Sequence, residues 1–149
     1  MPVWDWPKPY TIDVEVVEID IDALNHTNNT VYVKWCEAAG WSHSCALGLD
    51  IDAYRRLDRA MAIHKAEYEY IQPALLGEKL TVATWLTESD GRLSMRRNFQ
   101  IIRNSDGVTM LRGSWKVVCI EMSSGKPKRM PAEFRDGYGA ALVADGGLL

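Results

Sequence analysis

The chain has 149 residues, of which 47% are hydrophobic and 25% charged, with a formal net charge of −3. That composition supplies the core of one domain and leaves too little chain to favour a second. A net negative chain argues against nucleic acid as the main partner, because binding to a phosphate backbone draws on a basic surface.

Residues 1–10, MPVWDWPKPY, carry two tryptophans and three prolines and read as an extended strap packed on the domain. They lack the basic region and apolar stretch of a secretory leader. No later segment is long enough to span a membrane and no charge run marks a membrane patch, so a cytoplasmic protein is expected. Residues 11–20, rich in Val and Ile, predict a first strand. Ile12, Val14 and Val16 share one parity, whereas Val17, Ile19 and Ile21 share the other, and a bulge near Val16 and Val17 would reconcile them. The polar turn Asp22-Ala-Leu-Asn25-His26-Thr27-Asn28-Asn29 follows, with Asn28 the expected N-cap of a long helix. That helix should run to Leu47 and stop at Gly48. Val31, Trp35, Ala38, Ser42, Cys45 and Leu49 recur at three- and four-residue spacing and predict its buried stripe. The small side chains at Ala38, Ala39 and Gly40 would let a sheet approach closely.

Residues 50–58 read as a short helical turn. Four strands are then expected at 60–72, 78–88, 93–103 and 108–121, with hairpin signals at Ser89-Asp90-Gly91 and Asn104-Ser105-Asp106-Gly107. Residues 132–138 suit a short helix, and residues 139–149 a frayed tail. One long helix with about five long strands and no β-α-β alternation predicts a single α+β domain over residues 1–149, in which a curved antiparallel sheet wraps the helix. Three cysteines, Cys36, Cys45 and Cys119, are odd in number and lack C-x-x-C spacing. On one helix Cys36 and Cys45 would stand about 13 Å apart, too far for a disulfide, so free and mostly buried thiols are expected.

The start of the long helix is where chemistry is expected. Its first N–H groups have no partner within the helix and lie at the positive end of the dipole, so a carbonyl oxygen placed there would be polarised. Asp22 can fold back toward the same point, giving a carboxylate beside an oxyanion hole. In this stretch Asp20, Asp22, His26, Asn28, Asn29, Tyr32 and Glu37 meet the pattern Asp-x-Asp-x-x-x-His-x-Asn-Asn-x-x-Tyr with a Glu five positions on. At these residues the sequence resembles the hotdog-fold thioesterases of the 4-hydroxybenzoyl-CoA thioesterase-like superfamily. Tyr70-Ile-Gln-Pro73-Ala-Leu-Leu-Gly77-Glu-Lys-Leu80 is similar to that family's strand, Pro, Gly and strand block. Residues 118–131 are similar to its last long strand and Gly turn, so the resemblance covers roughly residues 10–135.

The resemblance implies a hotdog fold and hydrolysis of an acyl-CoA to free acid and CoA, with no metal and no cofactor beyond the CoA of the substrate. It implies that Asp22 is the catalytic carboxylate, acting as general base toward water or as nucleophile. The backbone N–H of Asn29 would be the oxyanion donor. His26 either donates to the thioester oxygen, orients Asp22, or is a turn histidine bonded to backbone. Asp20 is expected to be structural or orienting. Asn28 and Tyr32 complete the substrate-binding motif, although Asn28 also suits a cap alone. Glu37 is either a solvated or Lys34-paired carboxylate or a reserve site residue. The cations that could meet CoA phosphates include Lys65, Arg96, Arg97, Arg103 and Arg112, and above all Lys126, Lys128 and Arg129, where a solvated turn explains the charge equally well. His64 reads as a core histidine outside the site, and three scattered histidines offer no metal-ligand spacing.

The family relation also implies a homodimer or a dimer of dimers with the site between subunits. Acyl-carrier-protein thioesterases carry a similar Asp-x-Asn-x-His-x-Asn-Asn run, so an acyl carrier protein is an alternative carrier. Here Leu24 stands in place of the Asn of that run. A subunit that binds acyl thioesters without cleaving them is the alternative from another class.

Overall fold

The long helix begins where the sequence predicts. Asn28 has extended backbone and its side-chain oxygen accepts the Thr30 N–H, so α1 runs Asn29–Ala46. At the far end Gly48 adopts φ +81°, its N–H donating to Cys45 O and that of Leu49 to Ser44 O, which closes the helix as a Schellman turn. In the computed structural model, which describes residues 3–143, the other elements are β1 (Tyr10–Glu15), a 3-10 turn (Glu18–Asp20), α2 (Ile51–Leu57), β2 (Arg59–Tyr70), β3 (Lys79–Ser89), β4 (Ser94–Arg103), β5 (Thr109–Glu121) and α3 (Ala132–Ala140). The sheet order is β1-β3-β4-β5-β2 and every neighbouring pair is antiparallel. One face of this sheet packs on α1, the α+β hotdog arrangement expected.

Three local expectations need correction. The first strand ends at Glu15 rather than near Asp20. Val16 is buried and Val17 exposed because the chain turns there, the Asp20 carboxylate accepting the Val17 N–H at 3.0 Å. The parity switch is therefore a turn and not a bulge. On α1 the buried stripe is Tyr32, Cys36, Ala39, Gly40, His43 and Ser44, one residue round from the expected one, and Ala38 and Cys45 are exposed. Hydropathy misses it because His43 and Ser44 are buried through tertiary hydrogen bonds. At the C-terminus, residues 139–143 are held rather than frayed: the Val143 N–H donates to Leu86 O at 2.9 Å. Residues 144–149 of the expected tail and residues 1 and 2 of the strap lie outside the described residues.

The strap crosses the sheet face opposite α1. Gln100 on β4 accepts the Asp5 N–H and donates to Val3 O, both at 2.9 Å, and the Trp85 indole donates to Pro7 O. Trp4 and Trp6 pack on Trp85 with ring centroids 6.0 and 5.4 Å away. On the α1 face, Phe99, Ile101, Leu111 and Cys119 are buried. Gly113 is needed there: a Cβ would come within 3.0 Å of the Tyr68 ring, which passes over it to accept the Trp115 indole N–H at 2.7 Å. Cys36 and Cys119 are buried free thiols, pushed up to about 12 and about 11 by desolvation, so the expectation of buried thiols fails only for exposed Cys45.

Two polar arrangements organise the inside. Thr27 donates both its N–H (3.1 Å) and its hydroxyl (2.8 Å) to Ala74 O, while the Ala74 N–H donates to the Tyr32 hydroxyl at 2.8 Å. These bonds tie the loop after β2 to the start of α1, and burial raises the Tyr32 pKa above the usual phenol value. Deeper along α1, Arg97 is 5% exposed and donates through Nη1 to His43 Nδ1 at 2.9 Å and Thr84 Oγ1 at 3.1 Å. The Tyr10 ring stacks on His43 with centroids 4.8 Å apart.

Tyr32→Phe leaves the N–H of fully buried Ala74 without its acceptor. We expect a loss of about 1–3 kcal/mol in urea unfolding. His43 is depressed to about 4, by burial first and by the Arg97 charge second. A folded value below the unfolded 6.5 means that the unfolded chain binds the extra proton between the two. His43 should therefore cost no stability above about pH 6.5, cost progressively more as pH falls toward 4, and add no further slope below that. Unfolding midpoints across this range should flatten in His43→Gln.

Candidate active site

The turn before α1 is built by short-range backbone bonds. The Asp22 N–H donates to His26 O at 2.9 Å, the Asn25 N–H returns to Asp22 O at 3.0 Å, and Asn25 adopts φ +60°, a left-handed geometry that Asn tolerates. A bridge pairs Ile21 with Thr27, and the Asn28 N–H donates to Asp20 O at 2.8 Å. The turn therefore doubles back so that Asp22 and the first residue of α1 face one cleft. This cleft, about 270 Å³, is walled by Asp22, Leu24, His26, Thr27, Asn29 and Tyr32 on one side and by Tyr70, Ile71, Gln72 and Pro73 on the other.

Asp22 does two things. Its Oδ1 accepts the Leu24 N–H at 2.9 Å, as turn aspartates do. Its Oδ2 accepts nothing among the described residues, and no buried side-chain oxygen lacks a partner, so Oδ2 is open to solvent in the cleft. At the head of α1, Thr30 N–H is taken by the Asn28 side chain and Val31 N–H by Asn28 O. The Asn29 N–H donates to no group among the described residues. It is an open donor at the positive end of an 18-residue helix. A free carboxylate oxygen and a free backbone N–H can together hold a carbonyl oxygen and attack, or activate water toward, its carbon.

The remaining expected residues are placed as follows. His26 is exposed in the same cleft, and its link to Asp22 is through its backbone carbonyl rather than its ring. Asn28 spends its side-chain oxygen on the Thr30 N–H and hydroxyl and does not line the cleft. Tyr32 forms the cleft floor with its hydroxyl committed to Ala74. Asp20 ends the 3-10 turn, and its carboxylate reaches back to accept the N–H of Val17, the N-cap. Glu37 is exposed, has no ion pair among the described residues, and lines a different cavity. His64 is not a core histidine: it is exposed at a β2 bulge, where the register slips between Ile63 and Lys65.

Lys126 and Arg129 are exposed beside the opposite end of β2, where Arg59 pairs with Glu121 and its side chain reaches Arg129 O. Tyr70, at the cleft, ends the same 12-residue strand. At ~3.3 Å per residue, roughly 35 Å of strand separates them within one chain. Sequence reasoning misses two features. One is the Tyr70 to Pro73 wall, legible there only as a motif. The other is buried Arg97, grouped with surface cations although it shares strand parity with Met95, Phe99 and Ile101, a signal that could have singled it out.

Residues 6–137 match the family described as the thioesterase-like superfamily. Among solved structures, the chain is similar to a 1,4-dihydroxy-2-naphthoyl-CoA thioesterase from Synechocystis, with TM-score 0.78, 18% identity, and coverage of 89% of this chain and 96% of the other. It is similar to a Staphylococcus aureus protein solved in complex with CoA, with TM-score 0.82, 16% identity, and coverage of 91% and 86%. A thioesterase from Thermus thermophilus complexed with coenzyme A and Zn is 26% identical, with TM-score 0.72 over 88% of this chain and 92% of that one. With a family match spanning most of its length and a helix wrapped by a five-stranded antiparallel sheet, this chain belongs to the thioesterase-like superfamily and has its hotdog fold.

Proposed function

We propose that this protein hydrolyses an acyl-CoA to the free acid and CoA. The observation that carries this reading is the pairing, in one cleft, of an uncommitted Asp22 Oδ2 with the uncommitted N–H of Asn29. The thioester carbonyl oxygen accepts from the Asn29 N–H, so that negative charge developing on it meets the helix dipole. Asp22 then either takes a proton from an attacking water or adds to the carbonyl carbon itself, giving a mixed anhydride that water cleaves. The CoA thiolate leaves in either case, and a thiolate needs little help from an acid. In this reading His26, which also lines the cleft, donates to the thioester oxygen.

The working unit in this proposal is a homodimer joined through the β2 edges. β2 is an outer strand whose other side pairs with no strand among the described residues, and such edges are routinely covered by another strand. A two-fold antiparallel pairing about the strand midpoint sets the Tyr70 end of one copy opposite the Arg59 end of the other. That brings Lys126 and Arg129 of one chain to the cleft of its partner, where they can meet CoA phosphates.

Thiol release from a panel of aliphatic and aromatic acyl-CoAs should fall about 10²–10⁴-fold in Asp22→Asn. Equally slow release by wild type and variant would remove the hydrolase reading and favour a binding subunit. Turnover of acyl carrier protein thioesters alone would change the carrier. Light scattering should give at least twice the chain mass, and a monomer would rule out the shared site.

A further inference from the structure

A second cavity, about 400 Å³, opens between α1 and the sheet, with Gly40 and Trp41 of α1, Met61 and Ile63 of β2, Trp115 of β5 and Arg97 of β4 among its walls. Most of these side chains are apolar. Arg97 is more than nine-tenths buried, and no carboxylate pairs with it among the described residues. Its Nη1 is used on His43 and Thr84. Its Nε and Nη2 donate to nothing among the described residues, yet no buried side-chain nitrogen is left unpaired. Both must therefore reach open space, and the open space beside Arg97 is the cavity it lines. Gly40 keeps that edge clear, since a Cβ there would stand 3.5 Å from Nε.

The neighbouring hydroxyls do not compete for a ligand anion. Ser44 Oγ donates to Leu49 O, so Tyr138 must donate to Ser44 and Tyr54 to Tyr138, which uses every proton of that chain inside the protein. Glu37, the acid on the same wall, is exposed and makes no ion pair among the described residues.

Met61 and Ile63 lie toward the Arg59 end of β2, which the edge pairing described above sets against the cleft of the partner subunit. We propose that this cavity receives the distal end of an acyl group whose thioester sits in that neighbouring cleft, and that Arg97 selects acyl groups ending in a carboxylate, held side-on by its Nε–H and Nη2–H. The inference rests on the thioester-hydrolase reading above and names its substrate class. A guanidinium edge presents two parallel donors that match the two oxygens of a carboxylate. A buried cation without a counter-ion is costly, and a ligand that brings the missing charge recovers part of that cost. The apolar walls suit the methylene or aromatic portion between the thioester and the carboxylate.

The test compares dicarboxylyl-CoAs, from succinyl upward, with their ω-methyl esters of equal length. At the preferred length, wild-type kcat/KM should be about ten-fold or more higher for the free carboxylate. The ratio should fall in Arg97→Lys, which keeps the charge but loses the fork, and approach one in Arg97→Gln. Esters hydrolysed as fast as acids at every length would overturn the inference while leaving the hydrolase reading intact. If the Arg97 variants do not fold, Gly40→Ala, whose Cβ crowds Nε, must lower the ratio; an unchanged ratio counts against the proposal. If no thioester is cleaved, the hydrolase reading fails separately. Thermal-shift titration of wild type with free dicarboxylates and their monomethyl esters then decides the cavity, and equal shifts sink it.

Discussion

The arrangement on which the cleft depends is the triple hydrogen bond between Ala74 and the start of α1. Thr27 gives two donors to the Ala74 carbonyl and Tyr32 accepts from its N–H. Because Ala74 is fully buried, these bonds are not exchanged for water, and the loop after β2 has one position relative to the helix. That position stands the Tyr70 to Pro73 wall across from Asp22 and Asn29. Without it the open N–H at the head of α1 would face solvent, where a polarising donor is worth far less than in a walled site.

In the proposed reaction Asp22 would combine a structural and a chemical role in one side chain. Its Oδ1 closes the turn on Leu24, and its Oδ2 is left without a partner among the described residues. The same economy holds at Asn28, whose side chain takes the second N–H of the helix and thereby leaves the first, at Asn29, as the open donor. In neither case does the structural role of the residue argue against the proposed one.

The core carries a second polar feature, apart from this cleft within the same chain. His43 accepts from Arg97 only while its Nδ1 is unprotonated, and its depressed pKa is consistent with that pairing. Burial first, and the guanidinium second, keep His43 neutral, and Arg97 itself has no carboxylate partner among the described residues.

Much of this was legible in the order of residues. The N-cap at Asn28, the stop at Gly48, both hairpin glycines and the boundaries of β3, β4 and β5 follow from local chemistry, because caps, left-handed glycines and β-rich runs act over a few residues. The hotdog fold was legible through motif spacing in the turn before α1. What only the tertiary structure decided are features that join distant segments. The buried stripe of α1 is set by which side chains find hydrogen-bond partners across the core, so hydropathy places it one residue away. The alternation along β2 assigns His64 to the interior, and a bulge interrupts that alternation. Arg97 reads as surface charge, and its burial depends on His43 and Thr84, 54 and 13 positions away along the chain. A sequence states which groups each residue offers; only packing decides which of them are satisfied, and the ones left over are where ligands bind.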